Sequence, residues 1–233
     1  MADILPGINV DHVAELVWLL AESRGKPDAR AAVLESVATL LAAEHAASFV
    51  WDECAHRSTR PFAFNIDDHR IAAYETHFHQ VDIVTPAMRK VGQAASVDGH
   101  LSRSALLGSE FYNEFLRPGD MEYGLNVFYS NDGLDVGDLR IWRSKGRVPF
   151  GEREVYLLQA LEPYFLRAFS GVGKQRGQLT LRELEVAGMV AGGASDKEVA
   201  RELGIGFTTV RTHLKNVMAK LDCRNRTELA RYF

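Results

Sequence analysis

A chain of 233 residues with 46% hydrophobic and 25% charged residues has the make-up of a water-soluble globular protein, long enough for one large or two small domains. Its net charge of −4 excludes a protein that is basic throughout, and its longest apolar run, near Val17 to Ala21, is too short to span a bilayer. The start, MADILPGINVDHV, lacks the basic region and long apolar core of a secretory signal, and the cysteines Cys54 and Cys223 form no CxxC pair, so a reducing cytoplasm without structural disulfides is expected.

In chain order, Asp11 to about Arg24 and Asp28 to about Glu44 carry apolar residues at helical spacing, split by Gly25-Lys26-Pro27. Ala47 to Asp52 and Pro61 to Ile66 read as extended, with Phe49, Trp51, Phe62, Phe64 and Ile66 alternating. Asp68 to Gln80 reads as helix, and Ser104 to Leu116 as one helix or two short ones. Met121 to Ser130 and Leu134 to Arg143 flank Asn131-Asp132-Gly133, the strongest hairpin signal in the chain. Phe150 to Phe169 is a long helix that Pro163 should bend. The polar, glycine-punctuated stretch Gly171 to Gln178 reads as a linker, leaving a first domain over 1–170 and a second over 179–233.

The second domain is the more tightly specified. Thr180 with Glu183, Ser195 with Glu198 and Asn225 with Glu228 are three capping boxes, each opening a helix. Gly204 sits where a left-handed residue would end the second of these helices, and Gly204-Ile205-Gly206 leaves room only for a sharp turn. The next helix runs from near Phe207 to about Leu221. Val210, Leu214, Val217 and Leu221 fall on one stripe, with Phe207 and Met218 at its edge; Thr208, Arg211, Thr212 and Lys215 lie opposite. No acidic residue occurs between Gly206 and Lys220. Solvated helices usually intersperse Glu with Lys, whereas a helix buried on one side and positive on the other suits the major groove of DNA. Charge divides accordingly: residues 178–233 carry nine Lys and Arg against seven Asp and Glu, a balance of +2 that leaves −6 for the first 177 residues. A basic reader carried by an acidic domain fits that asymmetry.

Leu179 to Phe233 resembles the LuxR/FixJ-type DNA-binding domain of bacterial transcription regulators. The matching residues are Leu179, Thr180, Arg182, Glu183, Glu185 and Val186, then Lys197, Glu198, Val199, Ala200 and Leu203, then Thr209, Val210, His213, Lys220, Leu221, Arg226 and Thr227. Departures are mild: Ala187 replaces a larger aliphatic, Gly206 stands where Ser usually caps the recognition helix, and Asp222 where Gly is common. The resemblance implies an all-α, four-helix helix-turn-helix domain binding double-stranded DNA at a palindromic operator as a homodimer, with RNA polymerase a further partner and no cofactor. Arg211, Thr212 and Lys215, with Thr208 on the same face, would meet base edges; Lys197, Thr209, Asn216 and Lys220 would hold phosphates. Leu229, Tyr232 and Phe233 of the final helix are offered as dimer contacts.

Helices outside an antiparallel sheet make the first domain an α+β fold, a PAS/GAF-like α-β-α sandwich. Tyr74 to Arg89, Ser109 to Pro118, Asp132 to Glu154 and Leu161 to Phe169 resemble the GAF-like sensor half of many LuxR-type regulators and, more distantly, the acyl-homoserine-lactone domain of quorum-sensing members. Those members place a Trp one turn before the Tyr and a Pro directly after the Asp; here His69 to Ala73 contains no Trp and Asp82 is followed by Ile83. An unidentified small molecule or a protein signal is therefore expected ahead of a lactone. Trp51, Phe64, Tyr74, Phe78, Asp82, Phe128 and Trp142 are the candidate ligand-binding residues, although such aromatics also build ordinary cores.

Other chemistries lack support. Cys54, His56, His69, His77, His79 and Asp82 have no HExxH or Cys2His2 spacing, so no metal site is expected. Asp67-Asp68 mimics the acidic start of a phospho-receiver, but the region ends in an antiparallel hairpin. No P-loop, GxSxG or GxGxxG is present, and no catalytic residues are expected. The competing class is a non-DNA signalling or enzymatic protein whose tail only oligomerises.

Overall fold

A computed structural model describes residues 9–52, 55–131, 134–176, 179–221, 223–230 and 232–233. They form two compact units, the first taking the residues up to Arg24 and Ala29–Phe169, the second Gly25–Asp28 and Ser170–Phe233.

The first unit opens with α1 (Val10–Glu22) and α2 (Ala29–Leu40), followed by β1 (His45–Asp52) and β2 (Arg57–Phe64). Then come α3 (Asp68–Thr76), α4 (Val84–Arg89), β3 (Ala95–Ser96), α5 (Arg103–Gly108) and a π-helical turn over Phe111–Leu116. The hairpin strands β4 (Tyr123–Asn131) and β5 (Leu134–Arg143) lead into α6 (Glu152–Arg176). The five strands pair antiparallel throughout, in the order β2-β1-β5-β4-β3. Period-2 alternation sends Leu125, Val127, Tyr129, Leu139 and Ile141 into a core with α1, α2 and α6. Ala47, Phe49, Ala95 and Trp142 face a second core with α3, α5 and the π-helical turn. The sheet is therefore covered on both faces, the α-β-α sandwich expected from the sequence.

The differences are local. Pro61 lies inside β2, tolerated because β2 is an edge strand with no neighbour on its outer side. β3 pairs at only two positions, too few for alternation to reveal. The helix expected to Gln80 breaks at His77 and resumes as a 3-10 turn, Phe78–Gln80. In contrast α6 runs on past Phe169 and takes Gly171 to Arg176 of the expected linker into helix. Buried Leu158, Leu161, Phe165 and Phe169 anchor it on both sides of the exposed Pro163. Gly177 and Gln178 of that stretch, Asp132 and Gly133 of the hairpin turn, and Cys54 and Asp222 lie outside the described residues.

The second unit contains α7 (Leu181–Ala191), α8 (Asp196–Glu202), α9 (Phe207–Lys220) and α10 (Arg226–Ala230). Both reciprocal capping boxes, Thr180 with Glu183 and Ser195 with Glu198, are formed. At α10, Asn225 accepts the Glu228 N–H at 2.9 Å, while the Glu228 carboxylate reaches back to Arg224 N–H at 2.7 Å. Gly204 takes φ +62°, and Ile205 N–H closes on Ala200 C=O at 3.0 Å, a Schellman ending that turns the chain toward α9. Arg182 donates to Leu203 C=O at 2.6 Å, satisfying another carbonyl at the end of α8. Val186, Val199, Val210, Val217, Leu221 and Leu229 are fully buried in the shared core.

Candidate functional site

Two sites emerge, one in each unit. In the second unit, Val210, Leu214, Val217 and Leu221 are 0–5% exposed, so α9 is fixed by one stripe. Its outer surface carries Thr208, Thr209, Arg211, Thr212, Lys215 and Asn216, all exposed, and Lys197 of α8 is exposed too. Thr212 donates its hydroxyl to Thr208 C=O at 3.0 Å, leaving its methyl and lone pairs outward. Gly206 opens α9 without a side-chain cap. Arg211 leans over the Phe207 ring with its guanidinium 5.3 Å from the centroid, and its Nε lies 3.7 Å from Asp196 Oδ2. Asp196 also accepts a hydrogen bond from Arg226, so one first-turn carboxylate of α8 touches two arginines. Nothing in the sequence distinguishes Asp196 from an ordinary helix-opening acid.

Three expected site residues have internal roles instead. Lys220 donates to Glu183 Oε2 at 2.7 Å. That hydrogen bond, with the Thr180 N–H, pulls the Glu183 carboxyl down to about 2. Lys220 thus supports the α7 capping box, an internal role that its expected phosphate contact did not include. Leu229 and Tyr232 are buried at 0% and 6% exposure in the unit's own core, so neither can meet a second copy there. Phe233 is half-buried against the same core.

In the first unit, a cavity with about 400 Å³ of atom-free space, partly continuous with solvent, opens between the sheet and the α3–α5 layer. Of the seven expected residues, Tyr74, Asp82 and Trp142 line it. Phe64 does not, because alternation along β2 turns it with Phe62 toward the opposite core. Phe78 packs on Phe115 at 5.1 Å without reaching the cavity wall. Trp51 and Phe128 both lie against the Arg89 guanidinium, at 4.6 and 5.3 Å, and Arg89 pairs with Asp135 at 2.8 Å. These two aromatics pack around a salt bridge rather than line the space.

A buried polar network borders the cavity. Arg140 donates to Asp138 Oδ2 from Nε and Nη2 at 2.9 and 2.7 Å, to Tyr74 Oη at 2.7 Å and to Ser58 Oγ at 2.5 Å. Its guanidinium stacks over Phe49 at 4.3 Å. Burial would lower the pKa of Arg140, but Asp138, Tyr74 and Asp82 together outweigh it and raise it above the usual range. Burial pushes the Tyr74 hydroxyl up to about 12. Asp138 Oδ1 in turn accepts Phe49 N–H at 2.6 Å, and Asp135 Oδ1 accepts Trp51 N–H at 3.0 Å. The two carboxylates replace the ladder partners that β1 lacks beyond Ala47, where its pairing with β5 stops. Gly124 admits Trp142 to the wall: a Cβ there would meet the indole at 2.8 Å.

Comparison with known proteins settles the family. Residues 177–233 match the family described as bacterial regulatory proteins, luxR family. Over 169 residues the chain is 31% identical to the monoamine regulon transcriptional regulator of Klebsiella aerogenes, covering 71% of this chain and 73% of that protein. The chain belongs to the LuxR family. It is also 46% identical over 54 residues to the transcriptional regulatory protein LiaR of Bacillus subtilis, covering 23% of this chain and 26% of that protein. Among solved structures, the VqsR LBD domain from Pseudomonas aeruginosa shares the fold, with TM-score 0.51 at 16% identity over 69% of this chain and 93% of that one.

As a LuxR-family member the protein is a DNA-binding transcription regulator. Among the described residues no helix is long and apolar enough to cross a membrane, and no three His, Cys, Asp or Glu gather as a metal site would require. The residues that sequence reasoning missed, Phe49, Phe111, Phe115, Asn126, Asp138 and Arg140, are alternate strand positions and one face of the π-helical turn. The alternation of LDVGDLRIWR was visible, but it points equally well to a solvated face.

Proposed function

We propose that this LuxR-family regulator senses a small-molecule signal in the cavity of its first unit and adjusts operator binding by α9 accordingly. The carrying observation is the acid-free outer face of α9, held outward by a stripe that is at most 5% exposed. On this reading Arg211, Thr212 and Lys215 meet base edges in the major groove, with Thr208 beside them. Lys197, Thr209, Asn216 and the uncapped N–H groups opening α9 hold phosphates. The protein acts as a homodimer on a palindrome whose half-site centres lie about 10 bp apart, regulates rather than catalyses, and works with RNA polymerase. Because Leu229 and Tyr232 are buried, dimerisation draws on the first unit, where Val10 and Trp18 of α1 and Tyr156 and Tyr164 of α6 are exposed. The Klebsiella relative is named for a monoamine regulon, which supports a small organic signal as the input.

Binding titrations of full-length protein on its selected operator and on single-base variants test the reader. Arg211→Ala should cost about 1–3 kcal/mol on the operator and relax preference at one base position. Loss of affinity that is uniform over all sequences would show that Arg211 meets phosphate instead.

A further inference from the structure

One polar side chain in the cavity wall has no hydrogen-bond partner among the described residues. Asn126 lies in β4, between Arg140 of β5 and Ala95 of β3. It is 1% exposed, it lines the cavity, and neither its Oδ1 nor its Nδ2 meets a hydrogen-bond partner among the described residues. Leaving a carboxamide bare in a protein interior is destabilising, and a native chain that keeps one needs a reason.

The neighbouring charges are already occupied. Asp82 accepts four hydrogen bonds, from the N–H groups of Val84 and Thr85 and the hydroxyls of Tyr74 and Thr85. Four bonds fill the lone pairs of a carboxylate. Arg140 is held by Asp138, Tyr74 and Ser58. An incoming cation would find the Asp82 lone pairs filled, and an anion would find only the one remaining N–H of a guanidinium already paired with Asp138, whereas Asn126 offers an uncharged acceptor beside a donor. The walls define the remainder. Phe111 and Phe115 are stacked at 5.1 Å, with their planes 12° apart, and Phe49 and Trp142 add further aromatic surface. The enclosed part of the space is small, about 30 Å³, and the rest is open to solvent, so the walls leave no room for a long acyl chain and favour a compact molecule.

We infer that the cavity selects a compact, uncharged aromatic molecule whose carboxamide- or lactam-type edge pairs with Asn126. This rests on the reading of the first unit as a small-molecule sensor. Both amide atoms of Asn126 would then be satisfied, acceptor to donor and donor to acceptor, with the ring held among the aromatics.

Calorimetric titration of the full-length protein with 2-phenylacetamide, phenethylamine and phenylacetate tests the inference, since the three differ chiefly in the charge of the head group. The amide should bind, and each ion should bind about tenfold or more weakly. Asn126→Leu, similar in size and apolar, should weaken amide binding about tenfold or more and raise the melting temperature of the unliganded protein. A purely structural asparagine would lower it. Absence of amide binding, equal binding of all three heads, or unchanged amide affinity in Asn126→Leu would each overturn the inference. The sensor reading is tested separately with Ala47→Leu, which fills part of the cavity. Unchanged regulation of an operator-driven reporter would count against the sensor itself, while altered regulation alongside a failed amide titration would remove only the ligand class.

Discussion

The two units of this regulator are specified over different distances. In the second, each determinant acts within a few residues: Thr180 on Glu183, Ser195 on Glu198, and Gly204 on the turn that brings Ile205 N–H to the carbonyl of Ala200. Among the described residues, the one charged side chain buried in its core is Glu183, itself part of a capping box. In the first, the interactions that define the cavity join residues far apart, 89 positions from Phe49 to Asp138 and 66 from Tyr74 to Arg140. Its interior holds Arg30, Asp82, Asp138, Arg140 and Arg143, all less than 9% exposed. A module that must present one fixed surface to DNA needs only local rules and a greasy stripe. A cavity with directional chemistry needs buried polar groups, and these persist only where distant segments satisfy them.

The largest expected effect follows from that dependence. Asp138→Ala removes the partner of a buried guanidinium and orphans Phe49 N–H, and should destabilise the first unit by about 3–5 kcal/mol. All three tryptophans, Trp18, Trp51 and Trp142, lie before Phe169, so denaturant unfolding followed by tryptophan fluorescence reports on this unit. A fluorescence transition shifted by less than about 1 kcal/mol would show that the polar network is not what holds the first unit together.

The same difference decides what could be read in advance. All four helices of the second unit, the capping boxes of α7 and α8 and the burial of Val210, Leu214, Val217 and Leu221 were legible, because a capping box and an α9 stripe are visible within one or two turns. The hairpin and the sandwich were legible too, from Asn131 and the alternation around it. The polar half of the cavity was not. Asp138 and Arg140 occupy alternate positions of β5, as they would on a solvated strand; only the α3–α5 layer, contributed by remote sequence, makes that face an interior. Phe64 was misplaced for a related reason: alternation gives two faces but does not say which one a cavity occupies. Leu229 and Tyr232 looked like surface contacts because so short a helix shows no clear stripe, yet α10 packs on α7 and buries both.

A smaller effect should mark the local unit. Ser195→Ala removes the hydroxyl that accepts Glu198 N–H and should cost about 1 kcal/mol. It should appear in helical circular dichroism and leave the tryptophan-detected transition in place. A shift in the tryptophan signal would mean that the two units do not unfold independently, and the contrast between them would weaken accordingly.

The smallest effect is the most discriminating, because it separates DNA contact from internal support at one lysine. Lys220 is about a third exposed, at 36%, so its pair with Glu183 is partly screened and should contribute about 0–1 kcal/mol at neutral pH. The acid limb carries the clearer signature. Glu183 is depressed from 4.5 to about 2 in the folded protein, first by the Lys220 hydrogen bond and then by Thr180 N–H. A carboxyl with a lowered folded pKa stabilises above its unfolded value and loses that contribution as protons bind, here as pH falls from 4.5 toward 2. Lys220→Met keeps the chain length but removes the principal donor, so the folded pKa of Glu183 should rise toward its ordinary value. Stability of the second unit should then fall less steeply with acid than in the unaltered protein. On DNA, the logarithmic salt dependence should stay the same, since a lysine engaged with Glu183 releases no phosphate counterion; a phosphate-bound lysine would reduce the slope by about 0.9. A flattened salt slope with an unaltered acid limb would return Lys220 to the DNA-binding face and leave Thr180 as the chief support of Glu183.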